Sequence, residues 1–174
     1  MGIATKTIVL EDVLERMFAD LPEMVSLRGT STHPIVFHYG DKKALNVFLK
    51  RKKSEDTYPL IWLLYPNVED HDNTSLEADN VSLVLAVSTN SVMQNKERMA
   101  TTFGKILMPL FFNVRTLFKR ANIVNIDGKY RIIKYPNYSD TDEGTEHGGA
   151  FIWDAIKITF SMKLIDTCYR TVTF

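Results

Sequence analysis

One cysteine, Cys168, is all that the 174-residue chain contains. No internal disulfide can cross-link it, so folding in a reducing compartment is expected, and the thiol reads as a small hydrophobe rather than a nucleophile. Phosphate-cradling glycine loops are missing too. Gly40, Gly104 and Gly128 stand alone, and neither GxGxxG nor GxxxxGK occurs, which removes the common nucleotide fingerprints. The longest apolar runs, Leu60 to Tyr65 and Met108 to Phe112, fall far short of the roughly 20 residues of a membrane-spanning helix. Met1 to Glu11 shows no basic segment followed by an apolar core, so no secretory signal is expected. Neither sign of charge prevails: 21 basic residues balance 21 acidic ones. Proteins that neutralise many phosphates carry a basic excess, so nucleic acid is disfavoured as the main ligand, although a local basic patch is not.

What is present is ordinary globular material. Hydrophobic residues make up 45% and charged residues 24%, which rules out disorder and fibrous repeats. A chain of this length buries about 70% of its unfolded surface, enough for one core without metals or disulfides.

Apolar Leu10, Val13, Leu14, Met17 and Leu21 predict an amphipathic helix from about residue 10 to 21, ending by Val25, with Phe18 off the stripe. Pro34 to Tyr39 reads as a short strand. Asp41 then caps a helix from Lys42 to about Lys53; Leu45, Val47 and Leu49 also alternate as in a strand, but Ala, Leu and Lys favour helix. Leu60 to Tyr65 has no polar face and reads as a central strand covered on both sides. Residues 67–80 are polar and acidic, a long loop or a solvated hairpin extension, and Val81 to Thr89 is the next strand.

The dominant helix is expected from about Gln94 to Arg120, kinked or broken near Lys105 to Met108 because Pro109 removes a backbone bond. Asp127-Gly128 between Ile123–Ile126 and Tyr130–Tyr135 predicts a tight hairpin. Residues 136–150 form a second long acidic loop, and Phe151 to Ile165 closes the chain as a long strand. The fold class expected is α+β: one domain over 1–174, a mostly antiparallel sheet packed with an N-terminal helix and one long helix.

The residues yield little chemistry. Asp70, His71, Asp72 and His147 could serve a metal-assisted hydrolase, but neighbouring residues rarely converge on one ion and no second cluster has ligand spacing. Ser161 lies within a strand, without a nucleophile-elbow context. His33 and His38 read as structural, and Trp62 and Trp153 as core. No catalytic residue, metal or cofactor is expected. Charge, however, is segregated. Basic side chains gather at 42–53 and 115–120, acidic ones at 69–79 and 140–146. Loops as long as 67–80 and 136–150 tend to be functional or disordered. Separated patches of opposite sign suit head-to-tail contact between copies, which closes into rings. The subunit-interface candidates are Lys50, Arg51, Lys52 and Lys53 on the basic side, Asp70, Asp72, Asp140, Asp142, Glu143 and Glu146 on the acidic side, and Phe112 as an apolar contact.

The N-terminal helix, the Tyr58-Pro59-Leu60-Ile61-Trp62-Leu63 strand, the strand at 81–89, the long helix around Arg98-Met99-Ala100-Thr101-Thr102-Phe103-Gly104-Lys105-Ile106-Leu107-Met108-Pro109-Leu110 and the closing strand form a layout. It resembles the tail-terminator and head-to-tail connector ring proteins of tailed bacteriophages, in composition most of all those of podovirus-like phages such as the crAss-like group. The resemblance implies a tail-terminator-like fold and a non-enzymatic virion protein, made in the host cytoplasm and placed at the head–tail junction. It further implies a homo-oligomeric ring stacked between a portal or adaptor protein and tail proteins. Genomic DNA would pass through its lumen without specific binding, and no membrane is involved. Two other readings remain open: the small metal-assisted hydrolase, and a cytosolic adaptor domain that binds a peptide along a sheet edge.

Overall fold

A computed structural model describes residues 8–25, 32–51, 59–72, 74–89, 92–138, 152–165 and 172–174. The run Leu60–Leu64 (β4) is an interior strand of its sheet, and its first four side chains are all buried. With no polar face to turn outward, this strand must lie inside the sheet. It lies between Val36–Gly40 (β3) and the long strand Ser75–Thr89 (β6). The order continues through Ile152–Ile165 (β8) to Val124–Tyr135 (β7), and Val68–His71 (β5) pairs with the outer half of β6. Among the described strands only β3 and β4 pair in parallel, because the helix Lys42–Arg51 (α2) carries the chain back between them. The fold is therefore α+β with a mostly antiparallel sheet. Met24–Val25 (β1) and Thr32–His33 (β2) form a separate two-stranded ribbon.

One sheet face is covered by Leu10–Phe18 (α1) and by a long helical run. That run comprises Asn95–Arg98 (α3), a π-helical stretch Met99–Leu107, and Met108–Arg120 (α4). Phe18, which sat off the apolar stripe, is buried and joins the layers: its ring lies 5.1 Å from Phe37 and 5.9 Å from Phe118. Phe118 in turn reaches Phe160 on β8 at 5.5 Å. α2 lies on the opposite face, where Phe48 meets Trp62 at 5.4 Å and His38 at 4.6 Å. The expected cap is in place, with the Ala44 N–H donating to Asp41 Oδ1 at 2.7 Å.

The structure corrects several expectations. The first helix ends at Phe18, not near Leu21, and the chain turns there toward β1. The long helix does not break at Pro109. Ahead of that proline the turns widen, and the Met108 N–H bonds Phe103 O, five residues back. The altered hydrogen bonding falls in the stretch where the absent Pro109 N–H interrupts the i→i−4 ladder.

The acidic segment 67–80 is no loop. Among its described residues, Val68–His71 is β5 and the stretch from Ser75 is the first part of β6, the hairpin extension that was the other reading of that segment. Val81 pairs with Phe160 but Ala78 pairs with Met162, so Asp79 and Asn80 together oppose Ser161. Asn80 takes φ 56 at this bulge. The bulge changes the alternation by one residue: Leu76 and Ala78 join Val81 on the core side, while Glu77 and Asp79 stay in water. A regular strand would bury the two acids instead. Asn80→Val should lower stability by about 1–2 kcal/mol, since a branched residue resists positive φ, whereas Asn80→Gly should leave the urea midpoint nearly unchanged. Equal midpoints for the two variants would count against this role of the bulge.

The predicted hairpin at Asp127-Gly128 is also absent. Residues 124–135 run as one strand along β8, and Gly128, Lys129 and Tyr130 together oppose Phe160. Gly128 has φ 77, as the hairpin would have required, but it serves a bulge. That bulge turns Tyr130 onto the helical side, 5.8 Å from Phe111 and 5.4 Å from Phe160.

Candidate functional site

Strand register fixes where the charged surfaces lie. His71, Leu76, Leu164 and Val124 form one row across β5, β6, β8 and β7. At this end the sheet is four strands wide, so β5 and the start of β7 are its opposite margins, about 14 Å apart at the usual strand spacing. The margin at β5 is acidic. Glu69, Asp70, Asp72, Glu77 and Asp79 belong to this hairpin, and all but Glu69 are exposed. Asp70, Glu77 and Asp79 share one face, by their pairing with each other and with Val68. On that face Lys163 reaches Glu77 at 2.5 Å, and the carboxylate holds the ammonium in its charged form, raising its pKa. On the other face Glu69 accepts from Asn67 Nδ2 at 2.6 Å and lies 3.1 Å from His71 Nε2.

The margin at β7 is basic. Arg115 and Lys119, one turn apart on α4, and Arg120 are exposed. Arg120 donates to Thr173 O at 2.8 Å and its guanidinium lies over the Phe174 ring at 5.9 Å. Between α4 and the β7 bulge lies an open groove of about 310 Å³, with Arg115 and Lys119 on one wall and Asn125, Gly128 and Tyr130 on the other. Burial pushes the Tyr130 hydroxyl's pKa up, opposed by the nearby Arg115 charge.

Of the interface candidates, Asp70 lies on β5, Asp72 in the turn after it, and Phe112 on α4, 49% exposed. Phe112 precedes Arg115 by three residues and Lys119 by seven, so the three share one helix stripe. Lys50 and Arg51 end α2. Lys52, Lys53, Asp140, Asp142, Glu143 and Glu146 lie outside the described residues, as do His147 and Cys168. Segment 136–150 is described only at Pro136–Tyr138, a turn.

Of the residues of the hydrolase reading, His147 lies outside the described residues. Asp70 and His71 are successive on β5 and point to opposite faces. Among the described residues, no group of three or more His, Cys, Asp or Glu side chains is placed to hold a metal ion. Among the described residues, too, no helix is long and apolar enough to cross a membrane.

Sequence reasoning missed the most elaborate polar constellation. Asp154 on β8 is fully buried and Arg98 at the end of α3 is 3% exposed. Arg98 Nη1 donates to Asp154 Oδ1 at 2.7 Å and to Thr89 Oγ1 at 2.9 Å, and its Nε donates to Met93 O at 2.9 Å. The Asn137 N–H also reaches Oδ1, at 2.9 Å, and the Thr102 hydroxyl donates to Oδ2 at 2.6 Å. Both carboxylate oxygens are thus satisfied, the condition for tolerating a charge in the interior. The cluster ties the end of β6, the start of the long helix, β8 and the turn after β7 together. It is closed to solvent, and its geometry is that of a clamp. The available signal was an aspartate amid Trp153, Ala155 and Ile156, in an otherwise apolar stretch.

A second tie joins α1 to the end of β4. The Tyr65 hydroxyl donates to Glu11 Oε1. Burial, and then the Glu11 carboxylate, raise the Tyr65 pKa well above the usual range near 10. A raised folded-state value means that stability is fully present below about pH 10, the unfolded value, and falls as pH rises beyond it. Urea midpoints between about pH 9 and 12 should therefore decline, and Tyr65→Phe should decline less steeply than the parent chain. Identical slopes would contradict this assignment.

Comparison with known proteins adds no family: no family model matches the chain, and no curated protein does.

Proposed function

We propose that this protein is a structural subunit that joins copies of itself into a ring, and that the ring belongs to the head-to-tail connector or tail-terminator assembly of a tailed-phage virion. The observation carrying the reading is the pair of unlike margins on one sheet. Among the described residues β7 pairs only with β8, and β5 only with β6. Unpaired margins invite contact with another chain. Because one margin is acidic and the other basic, like margins of two copies repel and unlike margins attract. A two-fold dimer through either margin is disfavoured, whereas a head-to-tail arrangement about an axis closes into a ring. The virion setting rests on the resemblance in layout set out above. In that setting the ring's partners are a portal or adaptor protein on one side and tail proteins on the other, with DNA passing through the lumen. A net charge of zero gives the chain no overall basic excess with which to hold that DNA.

Negative-stain electron microscopy of the purified chain at high concentration should show closed rings of uniform diameter. Isolated particles of 20.0 kDa at every concentration would overturn the ring and favour the adaptor domain that binds a peptide along an exposed edge.

A further inference from the structure

We propose that the groove between α4 and β7 receives the acidic β5–β6 hairpin of a second copy of this chain; this contact deepens the ring reading and rests on it. Three observations point to it. The groove wall carries Arg115 and Lys119, both exposed, and the hairpin carries Asp70, Glu77 and Asp79 on one exposed face. The charges are therefore complementary, and complementary charge selects partner and register as well as speeding encounter. Secondly, groove and hairpin occupy the same end of the sheet on opposite margins, as the row from His71 to Val124 shows. Copies repeated side by side bring the hairpin of one to the groove of the next without any change of level. Thirdly, each surface carries an exposed apolar side chain beside its charges: Val68, 55% exposed, shares a strand face with Asp70, and Phe112, 49% exposed, continues the Arg115–Lys119 stripe. Each surface thus offers an apolar contact next to a charged one.

The test uses two double variants of exposed residues, Arg115→Glu with Lys119→Glu, and Asp70→Lys with Asp79→Lys. Thermal unfolding establishes that each is folded; Arg115→Gln with Lys119→Gln is the milder substitute if the first is not. Each double variant alone should sediment as monomer, with at least a tenfold weaker association than the parent chain. Mixing the two should restore association, because the intact hairpin of the first meets the intact groove of the second. Variants that assemble like the parent, or a mixture that stays monomeric, would overturn the hairpin-in-groove contact while leaving the ring in place. A parent chain that is itself monomeric under the same conditions would overturn both.

Discussion

Replacing Asp154 with alanine is expected to lower the free energy of unfolding by about 3–5 kcal/mol, because it leaves the Arg98 guanidinium buried without its counter-charge. The Asn137 N–H loses its bond to the carboxylate at the same time, and the Thr102 hydroxyl keeps only Arg98 O as its acceptor. Arg98→Met should cost a comparable amount by stranding the carboxylate. The double variant Arg98→Met with Asp154→Ala should cost less than the two single changes added together, because it strands no charge. Urea denaturation of all four proteins completes the cycle. A loss below about 1 kcal/mol for Asp154→Ala, or strict additivity, would show that the clamp does not hold the helix to the sheet.

Gly40→Ala is the second large effect. Gly40 ends β3 with φ 147, a conformation that side chains resist at a cost of about 1–3 kcal/mol. A methyl group there would meet Ala44 Cβ at 3.1 Å and the Trp62 ring at 3.2 Å. The Gly40 carbonyl also accepts from Trp62 Nε1 and from the Tyr65 N–H, both at 3.0 Å, so displacement of this backbone disturbs both bonds. The combined cost should be about 2–4 kcal/mol, with altered tryptophan fluorescence in the native state. Gly128→Ala is the comparison: φ is again positive, but nothing lies within 4 Å of the added methyl. It should cost only the backbone strain, about 1 kcal/mol. Equal losses at the two glycines would remove the steric part of the argument.

The elements legible in the sequence were those whose local chemistry admits one solution. Leu60–Leu64 has no polar side to expose, Asp41 can bond the N–H of Ala44, and the apolar stripe of 99–118 needs a helix to gather it. The elements that were not legible depend on partners distant along the chain. An Asp-Gly pair supplies positive φ to a hairpin turn and to a bulge alike, and only pairing of both flanks with β8 decides between them. Residues 67–80 read equally as a loop or a solvated hairpin extension, because an acidic segment has no core face until the bulge at Asn80 provides one for Leu76 and Ala78. Arg98 and Asp154 are 56 residues apart, and neither announces the other. The charged margins were half legible. Segregation of sign is visible in the sequence, but that the acids of 69–79 and the bases of 115–120 fall on opposite margins at one level of the sheet follows only from register.

Sedimentation equilibrium of the unmodified chain, from low ionic strength to about 0.5 M salt, tests the central claim most directly. Attraction between exposed unlike margins is screened as the Debye length shrinks below about 10 Å. The account predicts an assembly of fixed copy number greater than two that loosens as salt rises. A monomer at low salt, or a dimer that tightens with salt, would contradict it.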